Sequence, residues 1–211
     1  MGVLAAAALL LDVVLWLLVL IGWESVTIPA DFAGTHQPVF VFPYSHGAAA
    51  AAAWSMLAGA AAFAFRQRGA ASPRTALWVT AAVFSHWVLD AIVHAPELPL
   101  LGAGSTAVGA GLWNDMPMAL LFESAIVGAG LWLFLASAGL SRRRAAALAA
   151  LTLLTLAFTI LGMTPAPAPP SARAMAASSL LVIVAVCAST GWLDHAKGAY
   201  ESARSVGVGR P

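Results

Sequence analysis

The chain has 211 residues, of which 61% are hydrophobic and only 9% charged. A soluble domain carries nearer a quarter charged residues, so a water-soluble globule is excluded and lipid is the expected solvent for most of the chain. The formal net charge of +1 offers no basic surface, so no nucleic-acid partner is expected, and the single cysteine, Cys187, cannot close an internal disulfide and reads as helix packing.

Val3–Ile21 is the first segment long enough to cross a bilayer, which takes about 20 apolar residues. It has no basic n-region, Asp12 interrupts it and no small-x-small cleavage site follows, so it reads as a span and not as a signal peptide. A loop over residues 23–45 leads to the second span, His46–Phe65, whose "HGAAAAAAW" suits close helix approach in lipid. After "RQRGAASPR" comes the third span, Thr75–His94, then a loop over 95–116 and the fourth, Pro117–Ala138. "SRRR" precedes the fifth, Ala145–Gly162. "TPAPAPPSAR", extended because repeated prolines exclude helix and sheet, precedes the sixth, Ala174–Trp192. The expected fold class is all-α. It is a polytopic membrane bundle of six transmembrane helices in a single domain, residues 1–195, with 196–211 a short disordered tail.

Charge orients the bundle. Arg66, Arg68, Arg74, Arg142, Arg143, Arg144, Lys197, Arg204 and Arg210, nine of the ten basic residues, fall on one side, and Arg173 on the other. The positive-inside rule places that side, with both termini, in the cytoplasm, and turns loops 23–45 and 95–116, which lack Lys and Arg, outward. The eight tryptophans mostly lie near span ends, as an interfacial belt requires.

Against this apolar background stand Asp12, His46, His86, Asp90, His94 and Glu123, in the spans or at their outer ends. Ionisable residues at such depth cost roughly 2.5–3.5 kcal/mol each at a span's centre, so they tend to face the bundle interior and carry function. At about 1.5 Å per residue, all six fall in the outer half, contributed by four helices. In "SHWVLDAIVH", His86, Asp90 and His94 recur every four residues and share one helical stripe. Two imidazoles and a carboxylate in that register suit zinc, iron or manganese, with His46 a further ligand from the neighbouring helix. A hydrogen-bonded polar clamp between helices is the competing reading. His36, Glu97, Asn114, Asp115, Asp194 and His195 read as solvated or interfacial.

"PYSHG" before a small-residue helix, "SHWVLDAIVHAPELPL", and "GAGLWN" leading into a helix with Glu123 resemble a family of bacterial inner-membrane metal-dependent hydrolases. These are related to the LexA-binding inner-membrane hydrolase group, and the resemblance spans most of residues 5–140. It implies His46, His86, Asp90 and His94 as motif positions, Asp12 and Glu123 as recurrent acids, and a bacterial inner-membrane location. Relatives usually open with a further segment carrying a Gly-His pair, which does not precede "MGVLAAAALLLD" here. They also often place Ser after the histidine of "YSH", where this chain has Gly47, removing a hydroxyl that could support the ligand.

The expected function is a membrane-embedded, metal-dependent hydrolase with an outward-facing site, acting on a lipid-linked or amphiphilic ester or phosphoester. His46, His86, Asp90 and His94 are the expected ligands of a divalent transition metal, zinc foremost. Glu123 or Asp12 is the expected general base. There is no G-x-S-x-G motif to support a serine nucleophile. The alternatives are a transporter or permease using the same cluster for cations or protons, haem ligation by paired histidines, and a structural protein with a polar clamp.

Overall fold

The structure, a computed structural model, describes residues 1–66 and 73–207. Its helices are α1 (Gly2–Ala8), α2 (Leu10–Ile21), α3 (Phe32–Thr35), α4 (Ala48–Arg66), α5 (Pro73–Val93), α6 (Met116–Ser137), α7 (Arg142–Met163) and α8 (Ala172–Gly207). Five of them, α4 to α8, are long and apolar enough to cross a membrane, or six spans result if α1 and α2 count as one. The mostly helical character read from composition is therefore present, with several helices compatible with crossing a membrane.

The first span is not straight. α1 and α2 meet at Leu9 with a bend of 53°, where Leu9 leaves helical geometry at φ −101° and ψ 6°. The break puts Asp12 in the first turn of α2, where the partial positive charge of a helix N-terminus makes a carboxylate least costly inside an apolar segment. α2 ends at Gly22, whose left-handed φ of 81° returns its amide to the last turn. α6 starts under Asp115, which accepts from the Met118 amide, with Pro117 in the first turn. At the other end of the chain, α8 continues past Trp192 to Gly207, so the tail read as disordered from 196 is helical backbone that far. "AKGAYESAR" is rich in residues that favour helix, which propensity outweighs its polarity. Residues 208–211 and 67–72 lie outside the described residues, and with them Arg210, Arg68 and most of the loop "RQRGAASPR".

α2 is the middle of the packing. One of its faces adds Leu11 to a cluster with Ala7 of α1, Ala51 of α4 and Val79 and Val83 of α5. Its other face joins Leu15, Trp16 and Val19 to Ala176 and Ile183 of α8. α4 and α5 approach closely at Gly59, where an added Cβ would sit 2.0 Å from Thr80 Oγ1. Small residues replace a hydrophobic driving force here, since lipid tails are as apolar as any side chain.

The two loops that lack basic residues are not structureless. In the first, β1 (Ser25–Thr27) pairs antiparallel with β2 (Val39–Val41), Val26 facing Phe40. In the second, β3 (Leu98–Pro99) pairs with β4 (Ala107–Val108). Buried Val26, Phe42 and Leu98 pin both hairpins to the end of α2 and α8. The second loop also closes α5: the Ala110 and Gly111 amides donate to the carbonyls of Ala91 and His94, at 2.8 and 2.7 Å. That approach needs glycine at 109, whose φ is +156° and whose Cβ would lie 2.1 Å from the Ala95 oxygen.

Candidate metal centre

Four expected residues converge. His46 ends the turn before α4, His86 and Asp90 lie one turn apart on α5, and Asp12 arrives from α2. Asp90 Oδ2 is 3.3 Å from both His46 Nε2 and His86 Nε2, and Asp12 Oδ1 is 3.7 and 3.6 Å from the same two nitrogens. Asp12, His46 and His86 each present a donor atom within 4.8 Å of the others, a group able to hold a metal ion. Donors bound to one tetrahedral ion at about 2.1 Å stand about 3.4 Å apart, and the separations of 3.3 to 3.7 Å match that spacing.

Hydrogen bonding behind His46 fixes its chemistry. Glu24, 4% exposed, accepts from the Tyr44 amide at 2.7 Å, the Ser45 amide at 2.8 Å and the Ser45 hydroxyl at 2.7 Å. Burial pushes the Glu24 carboxyl above its ordinary pKa, while these three donors favour the charged form. A hydroxyl has one proton, and that of Ser45 is committed to Glu24. Its oxygen, 2.8 Å from His46 Nδ1, therefore accepts the imidazole N–H. That tautomer leaves a bare lone pair on Nε2, pointing at two carboxylates. Asp90 Oδ2 is itself buried without a hydrogen-bond partner. Acceptors facing acceptors in a buried pocket repel, so a proton on His86 Nε2 or a cation among them must relieve the contact.

His94 is held differently from the other two imidazoles. Its Nδ1 lies 2.7 Å from Glu97 Oε1, and Glu97 Oε2 also accepts from the Phe40 amide at 3.3 Å. The Phe42 ring packs on both His46 and His94, centroids 5.0 and 5.7 Å apart, and stands between the two sites. Shared helical stripe notwithstanding, His94 is thus paired to Glu97 and is not part of the group with His46 and His86. Glu123 is also set apart: its carboxylate accepts from Trp113 Nε1 at 3.1 Å, and the Trp113 ring packs on His94 at 4.3 Å.

A cavity of about 530 Å³ adjoins these groups, lined by Asp12, His46, His86, Asp90 and His94. The rest of its lining is mostly apolar, with Trp16, Phe42, Phe158, Met163 and Ile183 among it. No family model, curated protein or solved structure matches this chain. The site is accordingly argued from its own geometry.

Two residues read as solvated turn out to belong to it. Glu97 backs His94, and His36 lines the cavity with its Nε2 3.1 Å from the Ala166 carbonyl. Glu24 and Ser45 carried no role in the sequence reading. The signal for Ser45 was its place directly before His46; that for Glu24 was a carboxylate in a loop without any Lys or Arg to pair it. The hydroxyl that Gly47 omits is supplied by Ser45. A Cβ at 47 would lie 2.7 Å from the Pro43 carbonyl, so the turn itself demands glycine there.

Proposed function

We propose that this protein is a metal-dependent hydrolase of the bacterial inner membrane, allied to the inner-membrane hydrolase group its motifs resemble. Both termini lie in the cytoplasm and the cavity opens toward the outer face, as the distribution of basic residues supports. The observation that carries the reading is the bare Nε2 of His46 aimed at the unpartnered Oδ2 of Asp90. In this scheme His46 and His86 hold a divalent transition metal together with Asp90, the nearer carboxylate at 3.3 Å from both nitrogens. Asp12, at 3.6 and 3.7 Å in the same metal-capable group, stands beside it. Zinc is the best match to two imidazoles and a carboxylate. When bound, such an ion polarises the scissile bond and makes water more acidic.

The remaining chemistry belongs to the chain. Asp12, with 29% of its side chain exposed against 15% for Asp90, is the carboxylate open to the cavity and accepts the proton of the attacking water. His94, its Nδ1 held by Glu97, presents its other nitrogen as the acid that protonates the leaving group. The Glu24–Ser45 pair orients His46, as carboxylates behind metal-bound histidines commonly do. Apolar walls exclude water and admit the chain of an amphiphilic ester.

Metal analysis of the purified protein tests this directly. About one transition-metal ion per chain is expected, with most of it lost in His86→Ala and in Asp90→Ala. Full metal retention in both variants would reduce the cluster to a structural clamp.

A further inference from the structure

The cavity's charge pattern restricts what can react in it. Resting on the metal reading above, we propose that the substrate is an uncharged carboxylic ester or amide of an aliphatic chain, and that phosphomonoesters are excluded. Six ionisable residues line the cavity: Asp12, His36, His46, His86, Asp90 and His94. Among the described residues, no lysine or arginine does. Arg173, near the start of α8, is exposed and is not part of the lining.

A divalent ion at the cluster is balanced by the charges of Asp12 and Asp90, with His46 neutral in the tautomer fixed by Ser45. His94 is matched by Glu97. No surplus positive charge is left. A phosphomonoester would bring a charge of roughly −1.5 to −2 into this pocket. Sites that process phosphates meet that charge with arginine or lysine clamps or with further ions. Here the phosphate would instead face two carboxylates in a space walled by Trp16, Phe42, Phe158 and Ile183. The three lining hydroxyls, of Thr159, Ser178 and Ser179, bring no charge to meet the phosphate, and Thr159 and Ser178 already donate to the carbonyls of Thr155 and Met175, at 3.2 and 3.0 Å.

A carboxylic ester brings no charge. The water oxygen forms a bond to the acyl carbon and the bond from that carbon to the alcohol oxygen breaks. One water proton passes to Asp12, and the departing alcohol oxygen takes a proton from His94. After proton exchange the products are an alcohol and a carboxylic acid. Ionisation of that acid returns a negative charge to a site that already holds two carboxylates, which drives the product toward the water interface.

Two inhibitors with the same chain test the assignment in the cobalt-substituted protein. Dodecanohydroxamic acid enters uncharged and passes its proton to a neighbouring carboxylate on binding, whereas dodecylphosphonic acid enters as an anion. Matched chains cancel most of the partition into detergent. Titrated against the cobalt absorption band, the hydroxamate is expected to bind at least tenfold more tightly than the phosphonate. Asp12→Asn removes one negative charge and a proton acceptor, so it should weaken the hydroxamate, strengthen the phosphonate and close the gap. Equal or tighter phosphonate binding to the parent, or a gap unmoved in Asp12→Asn, overturns the substrate assignment while leaving the metal site intact. Failure of the protein to take up cobalt overturns the metal reading, and this inference with it.

Discussion

α5 and α7 have nearly the same length, 21 and 22 residues, and both pass as membrane spans on composition. Yet α5 buries Val79, Val83 and Val93 against its neighbours, while α7 buries Leu148 and leaves Leu153, Leu154, Phe158 and Leu161 exposed. α5 also carries two groups of the cluster, His86 and Asp90; α7 contributes Phe158, Thr159, Gly162 and Met163 to the cavity wall and no ionisable group. Apolar content alone says that a segment can sit in lipid. Whether it also organises a site depends on polar residues spaced to share a face, since small residues do not separate the two: α7 holds six alanines and Gly162, and α5 four alanines. α5 places His86 and Asp90 on one face, whereas α7 has no ionisable residue after Arg144.

The sharpest way to break this contrast is at the cluster. His46→Ala or Asp90→Ala should abolish stoichiometric metal binding, read by elemental analysis, whereas Leu153→Ala in α7 should leave it unchanged. A step smaller is Glu24→Gln, which keeps the shape of the contact but weakens acceptance of the Ser45 hydroxyl proton. Metal affinity is expected to fall about 10–100-fold, the usual loss when support behind a ligand is removed, with the fold intact by circular dichroism. Unaltered affinity would show that Ser45 alone orients the ring.

Next comes the close contact of α4 with α5. Gly59→Ala should destabilise by about 1–3 kcal/mol, measured by unfolding in detergent, because the new methyl meets Thr80 Oγ1. Adding Thr80→Ala should restore most of that loss, the signature of a pairwise clash. Smallest of all, Leu154→Ala on the exposed face of α7 should change stability by less than about 0.5 kcal/mol, as substitutions away from packed or polar features usually do.

Spans two to five were legible within about three residues at each end, because long apolar runs bounded by Arg, Pro and Gly leave little choice. His86 and Asp90 were legible from their spacing on one helix. The break at Leu9 was not, since no proline or glycine marks it. Nor was the partition of the histidine stripe: periodicity shows that His94 shares a face with His86, but not that Glu97 takes its Nδ1 while Phe42 packs against its ring. Glu24 escaped for a related reason. Its burial depends on the pairing of β1 with β2, a contact between residues 25 and 41 that no local pattern announces. Glu123 looked catalytic because depth along a helix can be estimated from sequence, whereas its direction cannot; the ring of Trp113 takes up its carboxylate.

The mouth of the cavity has a kinetic consequence. His36 reaches the Ala166 carbonyl and Gln37 donates to that of Trp113, so the first hairpin loop is fastened to two other segments by single hydrogen bonds. Each contributes only about 0.5–1.5 kcal/mol net, and no ion pair reinforces either among the described residues. A loop fastened so lightly would open on the microsecond-to-millisecond scale of lid motions. For the substrate proposed above, residence time inside would then be governed by how strongly the walls hold its aliphatic chain, and a longer chain would raise occupancy and slow turnover together.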